Sequence, residues 1–505
     1  MLVGKWIPAW IGRPLRRGLS RVPRLSLLWR GPGRIPKRHL RQVRASWWGG
    51  DVRWYPLGTP PRRHNRVTPL IDGQAYFSAL QEALAHAEHY VYISGWCLTP
   101  DIPLAREDRP ALQATQLLTL LAAAAARVPV RVLLWSGAGL LFQPTRQTMK
   151  AVQTQIQTQG HGDLICRLDN TARFSHCHHQ KAVVIDGRVA FVGGIDLTTF
   201  GGDRWDTPRH PLRLGLNWHD VMLQIEGEAV ADVERNFRER WRAVAGPAPL
   251  PHHAPVWERG WTMPVQILRT IPRRTYAFAR HGEFGIRHAY RHALRQARRL
   301  IYLENQYLWS PEIRDILRAA LETPPAAAFR ILIVLPAAAE DGEADNDKHV
   351  DELLAADKGR GILSVYSTYT SGVAGGEHPF TYKPIYVHAK VAIVDDEWLT
   401  VGSANLNDRS LYTDSEINAA VRDAGLARRL RADLWAEHLG MAPAEVAAAD
   451  PIALIDGVWR TRATANAAII AQGDRPLPNA VHLYHVHHKP GAVALAETEA
   501  LLFDL

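Results

Sequence analysis

The sequence predicts an α/β protein built from two tandem copies of one fold that meet at a single site. Two observations support this prediction. The order helix, strand, helix, strand occurs twice in the 505 residues, and the octets HQKAVVID at 179–186 and HAKVAIVD at 388–395 lie 209 positions apart. Strands that alternate with helices indicate a layered α/β architecture, and similar segments at one separation indicate an internal duplication.

The first elements have the same order in both copies. An amphipathic helix that runs into a strand is predicted at 75–96 and again at 289–306. A second helix and an apolar strand follow, with the strands at Val130–Trp135 and 329–335. The matching order supports two copies of one fold.

The octets and the segments after them complete each copy. Each octet predicts a buried strand with its His and Lys on one face, because side chains two positions apart in a strand point the same way. Small residues follow in GGID at 193–196 and GSAN at 402–405, where the backbone can approach a ligand closely. A last strand is predicted at 218–225 and at 415–421.

Composition changes along the chain predict the domain boundaries. The two halves are expected at 65–245 and 262–445, joined by a linker at 246–261 that is rich in Pro and Gly. The acidic segment 340–352 predicts an exposed insertion. Residues 446–505 have no counterpart in the first half, so we expect them to pack on the core as a C-terminal extension.

The net charge of +10 comes from the N-terminal arm, residues 1–50. This arm holds twelve Lys and Arg and no acidic residue, which leaves 48 basic against 50 acidic residues in the rest of the chain. A near-neutral body argues against a nucleic-acid groove. The arm also contains five tryptophans, so we expect either a disordered tail or a segment that lies on an anionic membrane surface.

Other class signals are weak. The longest near-apolar run, 117–126, has ten residues, whereas a membrane-spanning helix needs about 20. Three cysteines are too few for a disulfide framework and are typical of a reducing compartment, with export as an open alternative. Four histidines near the C-terminus alternate with other residues and predict a strand rather than a metal site: His482, His485, His487 and His488.

The repeated His-x-Lys-x4-Asp pattern predicts phosphodiester chemistry. Residue counts give an expectation of about 0.02 occurrences per chain, so two occurrences are not accidental. Two imidazoles in one cationic pocket suit a phosphodiester, because a neutral ring can attack phosphorus while a protonated ring donates to the leaving oxygen. Lys181 and Lys390 would hold the non-bridging oxygens, helped by Asn405 and Ser403. No metal or other cofactor is expected.

These motifs resemble the phospholipase D superfamily, whose signature is a duplicated HxKx4Dx6G(G/S)xN. The resemblance covers roughly residues 65–445 and predicts two tandem phospholipase D-like α/β/α halves in one pseudo-twofold unit. Several flanking segments resemble the branch that includes the eukaryotic enzymes: FVGGIDL, RWD, NWHDV, LENQY, VGSANLNDRS and DSE. The resemblance implies a phosphohistidine intermediate, with His179 as nucleophile and His388 as general acid and then base, an order that spacing alone leaves open.

Five further acidic residues belong to the motifs or lie beside them. Asp220 and Glu416 hold equivalent positions and are candidates to accept a hydrogen bond from the far nitrogen of each imidazole, with surface ion pairs as the alternative. Asp186 and Asp395 fall on the strand face opposite to His and Lys, which predicts a structural role. Asp196 replaces the amide of the signature, and we expect it to point away from phosphate or to pair with a lysine.

Two residues are predicted to bind substrate. Glu304 follows a strand and would line the mouth of the pocket, or alternatively cap the next helix. Trp205 lies near a motif and would hold an alkylammonium headgroup by a cation–π contact, with core packing as the alternative.

The function predicted from these features is a phospholipase D that hydrolyses glycerophospholipids to phosphatidic acid and a headgroup at a membrane surface. Water or an alcohol would be the acceptor, no nucleic acid is expected, and a monomer is expected. The alternatives are a phosphatidyltransferase of the cardiolipin synthase type, a nuclease of the same superfamily, and an inactive membrane-surface scaffold. Headgroup preference does not follow from the sequence, because loops outside the strands shape that pocket.

Overall fold

The computed structural model describes residues 58–106, 112–138, 143–173, 176–337, 343–373 and 379–484. The basic arm and three of the C-terminal histidines, His485, His487 and His488, lie outside the described residues. None of the described helices is both long enough and apolar enough to cross a membrane.

Over its described residues, the first half forms a seven-stranded sheet with four helices. Its helices are α1 (Asp72–Ala85), α2 (Leu117–Ala125), α3 (Arg146–Gln159) and α4 (Val230–Ala245). The strands up to residue 227 are β1 (Asn65–Ile71), β2 (Val91–Gly95), β3 (Val130–Trp135), β4 (Leu164–Asp169), β5 (Ala182–Ile185), β6 (Val189–Gly193), β7 (Asn217–His219) and β8 (Val221–Gly227). All but β7 belong to this sheet, in the order β1-β8-β6-β5-β2-β3-β4.

The second half forms an eleven-stranded sheet in the part of the chain that the structure describes. Its strands are β9 (Val265–Ile271), β10 (Glu283–Phe284), β11 (Leu300–Asn305), β12 (Arg330–Val334), β13 (Leu363–Val373), β14 (Phe380–Val387), β15 (Lys390–Val394), β16 (Trp398–Gly402), β17 (Glu416–Val421) and β18 (Val481–Leu483), with β7 added. Its helices are α5 (Gly285–Gln296), α6 (Pro311–Glu322), α7 (Glu343–Asp357), α8 (Ala424–Leu439), α9 (Pro443–Ala448), α10 (Pro451–Ala453) and α11 (Arg460–Gln472). The described residues also form a 3-10 helix, Ala277–Ala279, and two π-helical turns, Arg409–Thr413 and Leu454–Trp459.

The strand order confirms the predicted duplication. The order β9-β17-β16-β15-β11-β12-β13 in the second sheet repeats β1-β8-β6-β5-β2-β3-β4 in the first. In both sheets the octet strand is antiparallel to the strand of the first helix–strand unit, as β5 is to β2 and β15 is to β11. Residues of both sheets, such as Val192 and Val401, belong to one apolar core. The protein is therefore an α/β protein of two tandem halves.

The prediction of one strand at 218–225 is wrong, because the chain changes sheets there. β7 pairs in parallel with β14 of the second sheet, whereas β8 starts at Val221 in the first sheet. Asp220 occupies the break between them. The equivalent place in the second half behaves in the same way, since His178 forms a parallel bridge with Ser415. Alternation of apolar residues cannot reveal which sheet a strand joins.

The acidic segment is not an exposed insertion over the described part of its length. It forms the start of α7, where Asn346 and His349 are buried and both contact the backbone of Leu308, at 2.7 and 2.8 Å. The many acidic residues of this segment masked, in the sequence, the few residues that form its buried face. Near the C-terminus, Trp459 lies in the core and His482 lies in β18, as its alternation predicts.

Candidate active site

Two histidine–carboxylate pairs form the centre of the site, and each pair takes one residue from each half. Nδ1 of His179 lies 3.0 and 3.1 Å from the two carboxylate oxygens of Glu416. Nδ1 of His388 lies 2.6 Å from Oδ2 of Asp220. A carboxylate at Nδ1 favours the tautomer that carries its proton there, so Nε2 of each ring is the basic nitrogen. The structure thus brings together four of the predicted site residues.

Backbone hydrogen bonds between the halves produce this crossed pairing. The His179 N–H donates to the carbonyl of Ser415 at 2.9 Å, and the His388 N–H donates to the carbonyl of His219 at 2.8 Å. Each histidine therefore lies beside the residue that precedes the acidic residue of the other half. Gly194 makes room for this arrangement, because a Cβ on it would lie 2.1 Å from Oδ1 of Asp220.

Two serine hydroxyls hold the carboxylate of Glu416. Ser403 Oγ donates to one oxygen and Ser410 Oγ donates to the other at 2.6 Å. Burial raises the pKa of Glu416 to about 8, although nearby Lys181 lowers it. Ser403 therefore contacts the carboxylate that orients His179.

The two lysines have different partners. Lys181 Nζ lies 2.9 Å from Oδ2 of Asp196, and both side chains are 2% exposed. Lys390 Nζ instead donates to the amide oxygen of Gln306 at 3.1 Å and to the backbone carbonyl of His388. Burial lowers the pKa of Lys390 to about 7. Lys181 thus has a carboxylate partner, whereas no carboxylate of the described residues is in direct contact with Lys390.

The environment disfavours the protonated form of both imidazoles. Burial lowers the pKa of His179 and of His388 well below the ordinary value, and Lys181 and Lys390 lower both further. His179 also lowers the pKa of His388, so the two rings lie within electrostatic range of each other. The His179 side chain is 15% exposed, which leaves its ring open to a reactant.

The last aspartate of each octet holds the backbone rather than the site. Asp186 accepts hydrogen bonds from three successive N–H groups, at 88–90, over 2.7–2.8 Å. Asp395 does the same for residues 298–300 over 2.8–2.9 Å. Both aspartates have a left-handed backbone, with φ of 57° and 56°. These carboxylates anchor the turns that lead into β2 and β11.

A buried ion cluster lies behind His179. His178, the residue before His179, has Nε2 3.0 Å from Asp169, and Arg240 donates to the same carboxylate at 2.9 Å. Tyr276 also donates its hydroxyl to Asp169. Attraction to His178 and Arg240 outweighs burial and holds the pKa of Asp169 well below its ordinary value.

The predicted substrate contact of Glu304 is wrong, whereas that of Trp205 stays a prediction. Glu304 is opposite Val391 in the β11–β15 register, so its side chain points to the core face, away from Lys390. It is fully buried and contacts His219 at 3.0 Å. Trp205 is partly buried against an apolar cluster of the first half. The Arg106 guanidinium lies over its ring, 5.2 Å from the centroid.

The sequence offered Trp218 only as a cation–π contact for a headgroup or as a core residue, and it assigned no role to Arg204. The Trp218 ring lies 4.9 Å from the His388 ring, and the Arg204 guanidinium lies 3.9 Å from the Trp218 centroid. Arg204 also lowers the pKa of His388. Both residues belong to segments that carried the family resemblance, RWD and NWHDV, which was the available signal. Asn405 is buried, and its Oδ1 has no hydrogen-bond partner among the described residues.

Comparison with known proteins gives two family matches. The family described as Phospholipase D matches residues 83–217 and 215–312, and the family described as Cardiolipin synthase, PLD-like domain, matches 290–437. Together the matches run through both octets. They therefore cover both halves of the site.

Two named relatives are similar to about three quarters of this chain. Phospholipase D A of Dictyostelium discoideum is 28% identical over 76% of this chain and 36% of its own length. Phospholipase D alpha 1 of Oryza sativa subsp. japonica is 26% identical over 74% of this chain and 65% of its own length. The chain thus spans less than two thirds of either relative.

Phosphatidylserine synthase of Haemophilus influenzae shares the fold, with a TM-score of 0.51 and 14% identity over 87% of this chain and 99% of that one. The duplicated octets, the repeated strand order and the family matches lead to one assignment. The chain belongs to the phospholipase D superfamily and resembles its eukaryotic phospholipase D branch.

Proposed function

We propose that the protein is a phospholipase D-type phosphodiesterase that transfers the phosphatidyl group of a glycerophospholipid to water or to an alcohol. The observation that carries this proposal is the crossed pairing of two imidazoles with two buried carboxylates beside two lysines. Superfamily membership and relatives named phospholipase D support the same reaction class. The chain's own residues provide a nucleophile, an acid and cations.

In the first step, Nε2 of His179 attacks phosphorus. A phosphorus–nitrogen bond forms, the bond from phosphorus to the headgroup oxygen breaks, and His388 gives its Nε2 proton to that oxygen. Glu416 stabilises the positive charge that develops on the His179 ring, since it accepts from Nδ1. The assignment of His179 as the nucleophile follows the family resemblance.

In the second step, an acceptor oxygen attacks the phosphohistidine. His388 removes the proton from water or alcohol, the phosphorus–nitrogen bond breaks, and His179 leaves as the neutral ring. Asp220 keeps His388 in the tautomer that this proton transfer needs. The products are phosphatidic acid or a phosphatidyl alcohol.

The substrate would supply the charge that the site needs for protonation. Burial and neighbouring cations keep His388 neutral and lower the pKa of Lys390 to about 7. An anionic phosphodiester between these groups would raise both pKa values, because an opposite charge at a few ångströms favours the protonated forms. Binding would thus prepare the acid that protonates the leaving oxygen.

A phosphatidyltransferase is the second candidate, and the match of 290–437 to a cardiolipin synthase family favours it. It would use the same residues, with a lipid alcohol as the acceptor. Vesicles of phosphatidylglycerol test it, because one molecule can then serve as donor and another as acceptor. Cardiolipin would be the product.

The deciding experiment is a lipid panel with and without ethanol, read by mass spectrometry. We expect phosphatidic acid, together with phosphatidylethanol when ethanol is present, and no cleavage of plasmid DNA. His179→Ala should abolish both products. His388→Ala should accumulate a labelled phosphohistidine from a diester with a p-nitrophenol leaving group, which needs no acid. Absence of any lipid product together with absence of this adduct would refute the proposal.

A further inference from the structure

A second cluster of polar side chains lies in the interior next to Asp220. It consists of Asp72 at the start of α1, His210 in the loop before β7, His219 in β7 and Glu437 in α8. All four side chains are at most 4% exposed. The mechanism proposed above gives none of them a role.

The four ligand atoms lie as close together as the ligands of one small ion. Glu437 Oε1 lies 2.8 Å from His219 Nδ1 and 3.0 Å from His210 Nε2. Asp72 oxygens lie 3.1 Å from His219 Nδ1 and 3.5 Å from His210 Nε2. A tetrahedral ion with bonds of 2.0–2.1 Å requires ligand atoms about 3.3 Å apart.

Two of these atoms lack a hydrogen bond although they are buried. His219 Nδ1 and Asp72 Oδ2 have no hydrogen-bond partner among the described residues, despite the polar atoms around them. The distances from His219 Nδ1 to two carboxylates are short, but the direction of its ring nitrogen suits neither oxygen. His210 Nε2 and Glu437 Oε1 do form a hydrogen bond, at 3.0 Å, so the case for an ion depends on the two unpartnered atoms beside that pair.

The outer nitrogens of both rings face further carboxylates. Nε2 of His219 forms a hydrogen bond with Oε2 of Glu304 at 3.0 Å, whereas Nδ1 of His210 lies 3.2 Å from Oδ2 of Asp206 without a hydrogen bond to it among the described residues. Histidines that bind a metal commonly place their other ring nitrogen against a carboxylate, which fixes the tautomer and makes the ligating nitrogen more basic.

We propose that Asp72, His210, His219 and Glu437 bind one divalent transition metal ion of the zinc type. Two carboxylates and two neutral imidazoles balance the charge of such an ion, which explains two buried carboxylates in one cluster. Calcium fits poorly, because it prefers six to eight oxygen ligands.

The ion would be structural rather than part of the transfer. It would tie α1 and the loop before β7 from the first half to α8 from the second half. Since Asp220 follows His219 directly, the ion would hold the place where the chain changes sheets. His388 receives its partner from this place.

Metal analysis of the full-length protein tests the proposal without any lipid assay. After removal of any affinity tag, we expect about one equivalent of zinc, manganese, iron or cobalt per chain by mass spectrometry of the elements. Replacement of the ion by Co²⁺ should produce visible absorption bands of four-coordinate cobalt. Dipicolinate should lower the Tm of the wild type.

The variant His210→Gln should bind Co²⁺ at least tenfold more weakly and lose the sensitivity of its Tm to dipicolinate. The control His349→Gln changes another buried histidine and should keep one equivalent. Wild-type protein that purifies without metal, fails to bind Co²⁺ or Zn²⁺ at micromolar concentration and keeps its Tm in dipicolinate would overturn the proposal. The cluster would then be a network of protonated histidines and carboxylates.

Discussion

Replacing Glu416 by glutamine tests whether the crossed histidine–carboxylate pair drives the reaction. The variant keeps the shape of the side chain and an oxygen that Ser403 or Ser410 can donate to. It removes the carboxylate 3.0 Å from Nδ1 of His179; because positive charge on the attacking ring lowers the carboxyl pKa from about 8, the variant lacks a negative charge in the transition state. The amide also offers an N–H to Nδ1, which favours the wrong ring tautomer and places the proton on the nucleophilic nitrogen.

The size of the effect follows from that distance. Two unit charges 3.0 Å apart attract by about 5.5 kcal/mol at an effective dielectric constant of 20. The amide dipole recovers part of this energy, so we expect a loss of about 3–5 kcal/mol in the transition state, which is a fall in kcat of about 10²- to 10⁴-fold. The fold should persist, which circular dichroism and Tm can check.

The assay compares two phosphodiesters, one with a choline and one with a p-nitrophenol leaving group. Glu416→Gln should slow both, because the attack itself is impaired. Asp220→Asn is the matched control at His388, and it should slow the choline diester much more than the p-nitrophenyl diester, which leaves without an acid. The assignment would be refuted if the kcat of Glu416→Gln stayed within threefold of the wild-type kcat. It would also be refuted if the variant cleaved the p-nitrophenyl diester at the wild-type rate.

Three further predictions concern charge and stability. Asp169→Asn should lower the free energy of unfolding by about 3–5 kcal/mol at pH 7, because it leaves buried Arg240 without its carboxylate. The folded-state pKa of Asp169 is depressed, so its contribution to stability is present above the unfolded pKa and is lost as pH falls below about 5. The free energy of urea unfolding of the variant should therefore depend less on pH in this range. An unchanged pH dependence would contradict this. Asp196→Asn should lower the Tm but strengthen inhibition by vanadate about tenfold, because it frees the charge of Lys181 for an anion; an unchanged inhibition constant would argue against this role. Asp395→Ala removes the acceptor of three backbone N–H groups and should lower the free energy of urea unfolding by about 2–4 kcal/mol. Its kcat at 15 °C should stay within twofold of the wild-type value. A large loss of kcat in folded protein would instead place this carboxylate in the site.

Local pattern in the sequence was sufficient for the duplicated fold and for the histidines and lysines of the site. Strand and helix periods depend on neighbours within a few residues, so Val130–Trp135 is a strand both in the prediction and in the structure. The octets also indicate the chemistry of the site, because the imidazole and the cation both lie within eight consecutive positions. These features need no knowledge of distant contacts.

Only the tertiary structure decided which groups meet. Glu416 lies 237 positions from His179, and Asp220 lies 168 positions from His388. The second pair depends on β7 joining the second sheet and the first on the bridge between His178 and Ser415, and a period of two residues encodes neither contact. The same limit misplaced Glu304, whose strand was predicted but whose buried face depends on His219. Asp72 and Glu437 stand far apart in the sequence, and only packing brings their carboxylates together with His210 and His219. Periodicity tells which face of an element is buried, whereas the distant segment that covers this face is chosen by the packing of the whole chain.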